Sequence, residues 1–153
     1  EEEMRQNMEE LEATQEDLER RNQEARNQLN TIYQLGLVHV EFDISGHVIF
    51  ANEAFADLMK YTNAAEVIGH HHRQFVSAAY AESAEYQQFW NDLLDQGELS
   101  GEFERQAKDG SKVLIKGGYS VIKDRQGNIS KIIKFALDIT QSVRNVAIEG
   151  VIS

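Results

Sequence analysis

The spacing of apolar residues changes rhythm near Leu35, and that change restricts the chain to a rod followed by a sheet. Upstream, Met4, Met8, Leu11, Gln15, Leu18, Asn22, Ala25, Leu29 and Ile32 follow in steps of four and three, the seam of a heptad helix. Met8, Gln15, Asn22 and Leu29 take the a positions, the others d. Downstream, Val38, Val40 and Phe42 alternate with His39, Glu41 and Asp43, the two-residue period of a half-buried strand.

Residues 1–30 carry ten acidic side chains against four arginines, with no aromatic residue and no glycine. Glu, Gln, Arg and Leu favour helix, but a helix this polar buries nothing alone, so a homodimer through the N-terminal helix is expected. Gln15 and Asn22 at a positions, and Arg21 facing Arg26 in a parallel pair, weaken that seam. A solvated single helix or a disordered linker is the alternative.

The whole chain has 153 residues and a net charge of −11, enough for one domain with an appendage. The acidic balance argues against nucleic acid as a partner. The absence of cysteine excludes disulfides, thiolate zinc sites, cysteine nucleophiles and flavin–cysteine adducts. No run of eighteen apolar residues occurs, so no membrane insertion is expected, and the chain reads as cytoplasmic. It starts and stops inside helical patterns, as a piece of something larger would.

Within the domain, Asp43-Ile44-Ser45-Gly46 turns the first strand into a second, His47–Phe50. Asn52 caps a short helix carrying Phe55, Leu58 and Met59, and residues 63–69 form another helical turn ending at Gly69. Tyr86, Phe89, Trp90, Leu93 and Leu94 make one stripe on a longer helix between Ser83 and Gly97. Three strands follow. Leu99, Gly101 and Phe103 mark the first, and Val113, Ile115, Gly117, Tyr119 and Val121 share a face of the second. Ile133, Phe135 and Leu137 are expected on the inner face of the third. Asp138 with Gln141 resembles a capping box opening a closing helix. The fold class is therefore α+β, an antiparallel sheet with helices on one face. The boundaries are 1–35 for the N-terminal coiled-coil helix, 36–140 for the domain and 141–153 for the start of a C-terminal helix.

Phe42–Gly46, Asn52–Phe55, Glu66–Gly69, Phe103 through Lys108-Asp109-Gly110, and Asp138-Ile139-Thr140 together resemble a PAS sensory domain over residues 36–140. The stretch from His71 to Trp90 is most similar to PAS domains of methyl-accepting chemotaxis proteins and sensor histidine kinases. The resemblance implies a five-stranded antiparallel sheet cupped by short helices and one longer helix. It implies a cavity holding haem, flavin such as FAD, a small metabolite, or no cofactor. It also implies coupling through Asp138 and Thr140 to neighbouring signalling domains of the same full-length receptor. The chain departs from such relatives at Ser77-Ala78, Leu114 and Gly117-Gly118, positions that bear on the cofactor more than on the fold.

His70, His71 and His72 are the obvious candidates for ligand contact. Histidine is a common proximal haem ligand, so His71 or His72 would take the iron if haem is bound. Consecutive histidines on a helix diverge by roughly 100°, and no other metal motif is present. Partly exposed loop histidines and contact with another ligand are the competing readings. Trp90 is core or a ring-stacking surface, Tyr119 lends a phenol to the pocket or simply packs, and Gly117 with Gly118 allows close backbone approach that either opens space for a ligand or marks a bulge. His39 and His47 are expected to point outward without a role. No enzymatic motif is found. Two functional readings follow. One is a sensory relay responding to a small ligand, gas or redox state, and the other a cofactor-free dimerisation and spacing module.

Overall fold

The computed structural model describes residues 2–140. Helix α1 spans Glu2–Gln34. Its Met4, Met8, Leu11, Leu18 and Ile32 are exposed, and Asp17 pairs with Arg20 and Arg21 one turn on, a surface contribution of a few tenths of a kcal/mol. The contact pattern divides the chain at Leu35/Gly36. No helix among the described residues is long and apolar enough to cross a membrane.

The second unit runs β1 (Val38–Phe42), β2 (Val48–Ala51), α2 (Glu53–Leu58), α3 (Ala64–Val67), a 3-10 turn (His72–Phe75), α4 (Ala78–Ala81), α5 (Ala84–Gln96), β3 (Glu98–Gln106), β4 (Lys112–Lys123) and β5 (Ile129–Asp138). The strands form one antiparallel sheet in the order β2-β1-β5-β4-β3. The 3-10 turn and α4 are additions to the sequence reading, each only four residues long, below the length at which hydrophobic periodicity speaks.

Short polar side chains begin and end these elements. Asp43 Oδ1 accepts the amides of Ser45 and His47, both at 2.9 Å, closing the first hairpin with Gly46 at φ 88°. Asp124 closes the last hairpin the same way, accepting from Gln126 and Asn128. Asn52 caps α2 through Phe55 N and also holds β1, accepting from His39 N at 3.1 Å and donating to Leu37 O at 2.8 Å. Ser83 caps α5 through Tyr86 N, and left-handed Gly97 ends it because glycine has no Cβ penalty there.

The core lies between the sheet and the helices. Val40, Phe42 and Ile132 meet Phe55, Met59, Val67, Phe75 and Leu93. The inner face of β5 differs from the expectation. Pairing Val38 with Ala136, Val40 with Lys134 and Phe42 with Ile132 turns Ile132, Lys134 and Ala136 inward. Ile133, Phe135 and Leu137 therefore lie on the outer face, with Phe135 39% and Leu137 51% exposed. A one-residue slip reverses every side chain of a strand, and here the apolar alternation marks the wrong face because a lysine occupies the core. His39 faces outward as expected but is buried: its ring stacks on Phe135 at 4.5 Å, leans on Phe50 at 4.9 Å and pairs with Glu41. The anticipated closing helix, with Gln141 of its capping box, lies outside the described residues.

Candidate functional site: a buried polar chain

The histidine run is not a helix. Residues 69–72 lie beside β2, with Val48 N donating to His70 O, Gly69 N to Val48 O and His72 N to Gly46 O, all at 2.8–2.9 Å. This pairing sends neighbouring side chains to opposite sides. His71 turns outward and caps the 3-10 turn: its Nδ1 accepts from Arg73 N at 3.1 Å, while Gln74 Oε1 accepts from His71 N. Because Nδ1 accepts, the ring proton sits on Nε2, which donates to Ser45 O at 2.9 Å. His70 is half-buried beside Tyr61 and Phe75.

His72 turns into the core and is completely enclosed. Its Nδ1 lies 2.9 Å from the Tyr86 hydroxyl of α5, and its Nε2 lies 3.0 Å from the Tyr119 hydroxyl of β4. Arg105 of β3 donates from Nη2 to the same Tyr119 oxygen at 2.9 Å, with its guanidinium 5.0 Å from the Phe103 ring centre and 5.6 Å from Phe89. Lys134 of β5 places its ammonium 5.1 Å from the Tyr119 ring centre and 5.9 Å from Phe55. Trp90 presents an edge to His72 at 5.1 Å. One polar chain thus joins the helical layer to three strands.

Arg105 is 4% and Lys134 3% exposed, and among the described residues neither has a carboxylate within ion-pairing distance. Aromatic faces attract both cations but replace only part of the lost hydration. Burial holds His72 well below its ordinary pKa, and the charges of Arg105 and Lys134 push it further in the same direction, so the imidazole is neutral. Burial raises Tyr86 to about 12. At Tyr119 burial acts upward, yet Arg105 and Lys134 outweigh it and hold the phenol below its usual range. Lys134 is lowered by burial, against the pull of Tyr119. A neutral imidazole has one N–H and one lone pair, so hydrogen bonding from Tyr119 through His72 to Tyr86 runs in one of two senses. The cluster can store a change in protonation or contact as a reversal of that sense.

Of the residues singled out in the sequence, the core gathers His72 and Tyr119, with half-buried Trp90 at its margin. Gly117 makes a close approach between strands: a Cβ there would stand 2.1 Å from Phe135 O, so its missing side chain leaves no room for a ligand. Asp138 and Thr140 form a clasp. Thr140 Oγ1 accepts from Leu114 N at 2.9 Å and donates to Asp138 Oδ1 at 2.7 Å, and Ile139 N donates to Leu114 O. Sequence reasoning missed Arg105, Lys134 and the polar role of Tyr86. Arg105 was detectable, since Leu99, Gly101 and Phe103 put it on the inner face by parity. Lys134 was hidden by the misassigned face of β5.

The fit of haem can be tested on the two histidines. The single lone pair of His71 is taken by Arg73 N–H, and both nitrogens of His72 are engaged by hydroxyls. Iron ligation requires a free lone pair, so neither residue, as arranged, suits haem. Among the described residues no group of three or more His, Cys, Asp or Glu is placed to hold a metal ion.

The fold and cluster can be set beside known proteins. The pattern of the PAS domain family matches residues 37–141. Over 103 residues, 67% of this chain, the sequence is 36% identical to Biofilm dispersion protein BdlA of Pseudomonas aeruginosa. The match covers 24% of that protein, so the chain spans about a quarter of its length. A crystal structure of the PAS domain of a protein from Colwellia psychrerythraea is similar with a TM-score of 0.66 at 19% identity, covering 76% of this chain and 98% of that one. The ligand–DNA complex of VqmA from Vibrio cholera is similar with a TM-score of 0.58 at 25% identity, covering 74% of this chain and 51% of that one. With the five-stranded sheet and its helical cover, these matches show that the chain belongs to the PAS domain family.

Proposed function

We infer that this domain is the sensory and relay module of a bacterial chemoreceptor or sensor kinase, a role in signalling rather than catalysis. The observation that carries the reading is the chain of buried polar groups from Tyr86 through His72 and Tyr119 to Arg105 and Lys134. A purely structural core gains nothing from two cations without a carboxylate, since burying each ion costs several kcal/mol. A core that must respond to a ligand or a proton needs groups whose interactions differ between two states.

The route outward is short. Tyr119 and Leu114 share β4, Lys134 and Asp138 share β5, and the Thr140 clasp joins the two strands where the sheet ends. A shift at Tyr119 therefore alters strain at residues 138–140, which precede the proposed output segment. Hydrogen exchange tests this relay. Tyr119→Phe and Thr140→Val are each expected to speed exchange at the Leu114 and Ile139 amides while leaving the Gln126 turn amide unchanged. In the full-length protein Thr140→Val should hold output at one level. Unaltered exchange at both amides, or wild-type output, would remove the relay.

We also assign α1 to homodimer formation, supported by its unburied heptad seam. Sedimentation should give twice the chain mass for residues 1–153 and the monomer mass once residues 1–35 are deleted. Equal monomer masses would end that assignment. The cofactor-free spacing module is the second reading, favoured by the absence of a free lone pair on His71 and His72. A sensor changes clasp exchange when its core is altered, and a spacer does not.

A further inference from the structure

Beside β3 lies a cleft of about 360 Å³, open to solvent and walled by Ser77 and Tyr80 on the helical side and Phe103 and Arg105 on the sheet side. Arg105 reaches from this cleft into the core. Its Nη1 donates to Glu104 O and its Nη2 to Tyr119, but buried Nε has no hydrogen-bond partner. A buried donor on a charged group is among the costlier groups to leave unmatched. The two hydroxyls offer further hydrogen bonds and Phe103 an apolar wall, features of a site for an organic ligand.

Resting on the sensory reading above, we propose that this cleft binds a small organic monocarboxylate, whose charge is met when Arg105, on the cleft wall, turns its unpaired Nε side toward it. A carboxylate supplies the planar acceptor pair that a guanidinium fork matches, and it provides the counter-charge that Arg105 and Lys134 lack. One negative charge suits the surroundings better than two. Glu102 and Glu104 border the same cleft, and Lys112, an exposed cation on its lining, is tied to Glu104 at 2.9 Å. The ligand's effect on the domain follows from the shared partner. A carboxylate drawing on Arg105 loosens its hold on the Tyr119 oxygen, and the hydrogen-bond sense through His72 shifts with it.

Calorimetric titration of the whole chain with benzoate, benzamide and inorganic phosphate tests the proposal. Benzoate is expected to bind in the millimolar range or tighter, with the isosteric neutral amide and phosphate each weaker by about tenfold or more. Arg105→Met, folded by circular dichroism because an apolar chain of similar length replaces a buried ion, is expected to lose benzoate binding. Arg105→Lys keeps the charge without the fork and should fall between the two. Absence of benzoate binding, equal binding of benzamide, tighter binding of phosphate, or undiminished binding by Arg105→Met would each overturn the proposal. Should that occur while Tyr119→Phe still speeds exchange at the Thr140 clasp, the carboxylate assignment falls and the sensory reading stands.

Discussion

Gly117→Ala is expected to destabilise the domain by more than about 3 kcal/mol, at or beyond the upper end for overpacking. The added Cβ would stand 2.1 Å from Phe135 O and 2.6 Å from Ala136 Cα, and both obstacles are backbone. β5 cannot retreat, because it is hydrogen-bonded to β4 on one side and β1 on the other. The sign is informative, since glycine to alanine inside a strand otherwise gains about 0.5–1 kcal/mol. Gly118 supplies the control. A Cβ there meets Leu99 O at 3.3 Å and Ser100 Cβ at 3.5 Å, so Gly118→Ala should change stability by less than about 1 kcal/mol. Urea unfolding of the two variants makes the comparison, and a Gly117→Ala midpoint equal to that of Gly118→Ala would refute the close approach.

The second large effect is loss of stability in mild acid. His72 keeps its neutral form in the folded core, whereas in the unfolded chain it takes up a proton near pH 6.5. Between that pH and its lower folded value the unfolded state binds one more proton, so stability falls as pH drops, by about 1.4 kcal/mol per unit. His71 and His39 are also lowered, chiefly by burial, and act in the same direction from less enclosed positions. The lowered carboxyls of Glu66 and Asp109 lose their contribution only as the unfolded carboxylates titrate, below about pH 5, so pH 5–6.5 isolates the histidines. Among the described residues the groups acting on His72 are Tyr86 of α5, Tyr119 of β4, the cations of Arg105 and Lys134, and His71, with no carboxylate among them to favour protonation. His72→Gln keeps donor and acceptor capacity for both hydroxyls and should flatten the stability profile across this window. A variant slope equal to the wild-type slope would mean that His72 titrates normally.

These two expectations rest on residues whose importance the chain showed unequally. Asn52 as a cap, the Asp-to-Gly turns at 43–46 and 124–127, the α5 stripe and the strand rhythm of Val38, Val40 and Phe42 were legible because each is a local rule. A cap needs its amide three residues on, and a turn needs its left-handed glycine. Family membership was legible because several such local pieces recur together at their spacing. The site was legible only in part. His72 was one of three adjacent candidates, and nothing in His70-His71-His72 says which ring enters the core. That choice came from the pairing of residues 69–72 with β2, a contact between distant parts of the chain.

The face of β5 shows the same division. Ile133, Phe135 and Leu137 alternate as an inner face should, yet the register with β1 turns Ile132, Lys134 and Ala136 inward. Periodicity reports that one side of a strand is apolar; it does not report which side meets the helices when both carry apolar residues. The amino-acid order alone therefore determined the longer elements, the turns and the family, since these depend on neighbours within a few residues. Only tertiary structure decided that Arg105, Lys134, His72 and two tyrosines share one enclosed space. Their proximity is set by strand register and helix packing, and the low dielectric that gives their charges consequence exists only once those layers have closed.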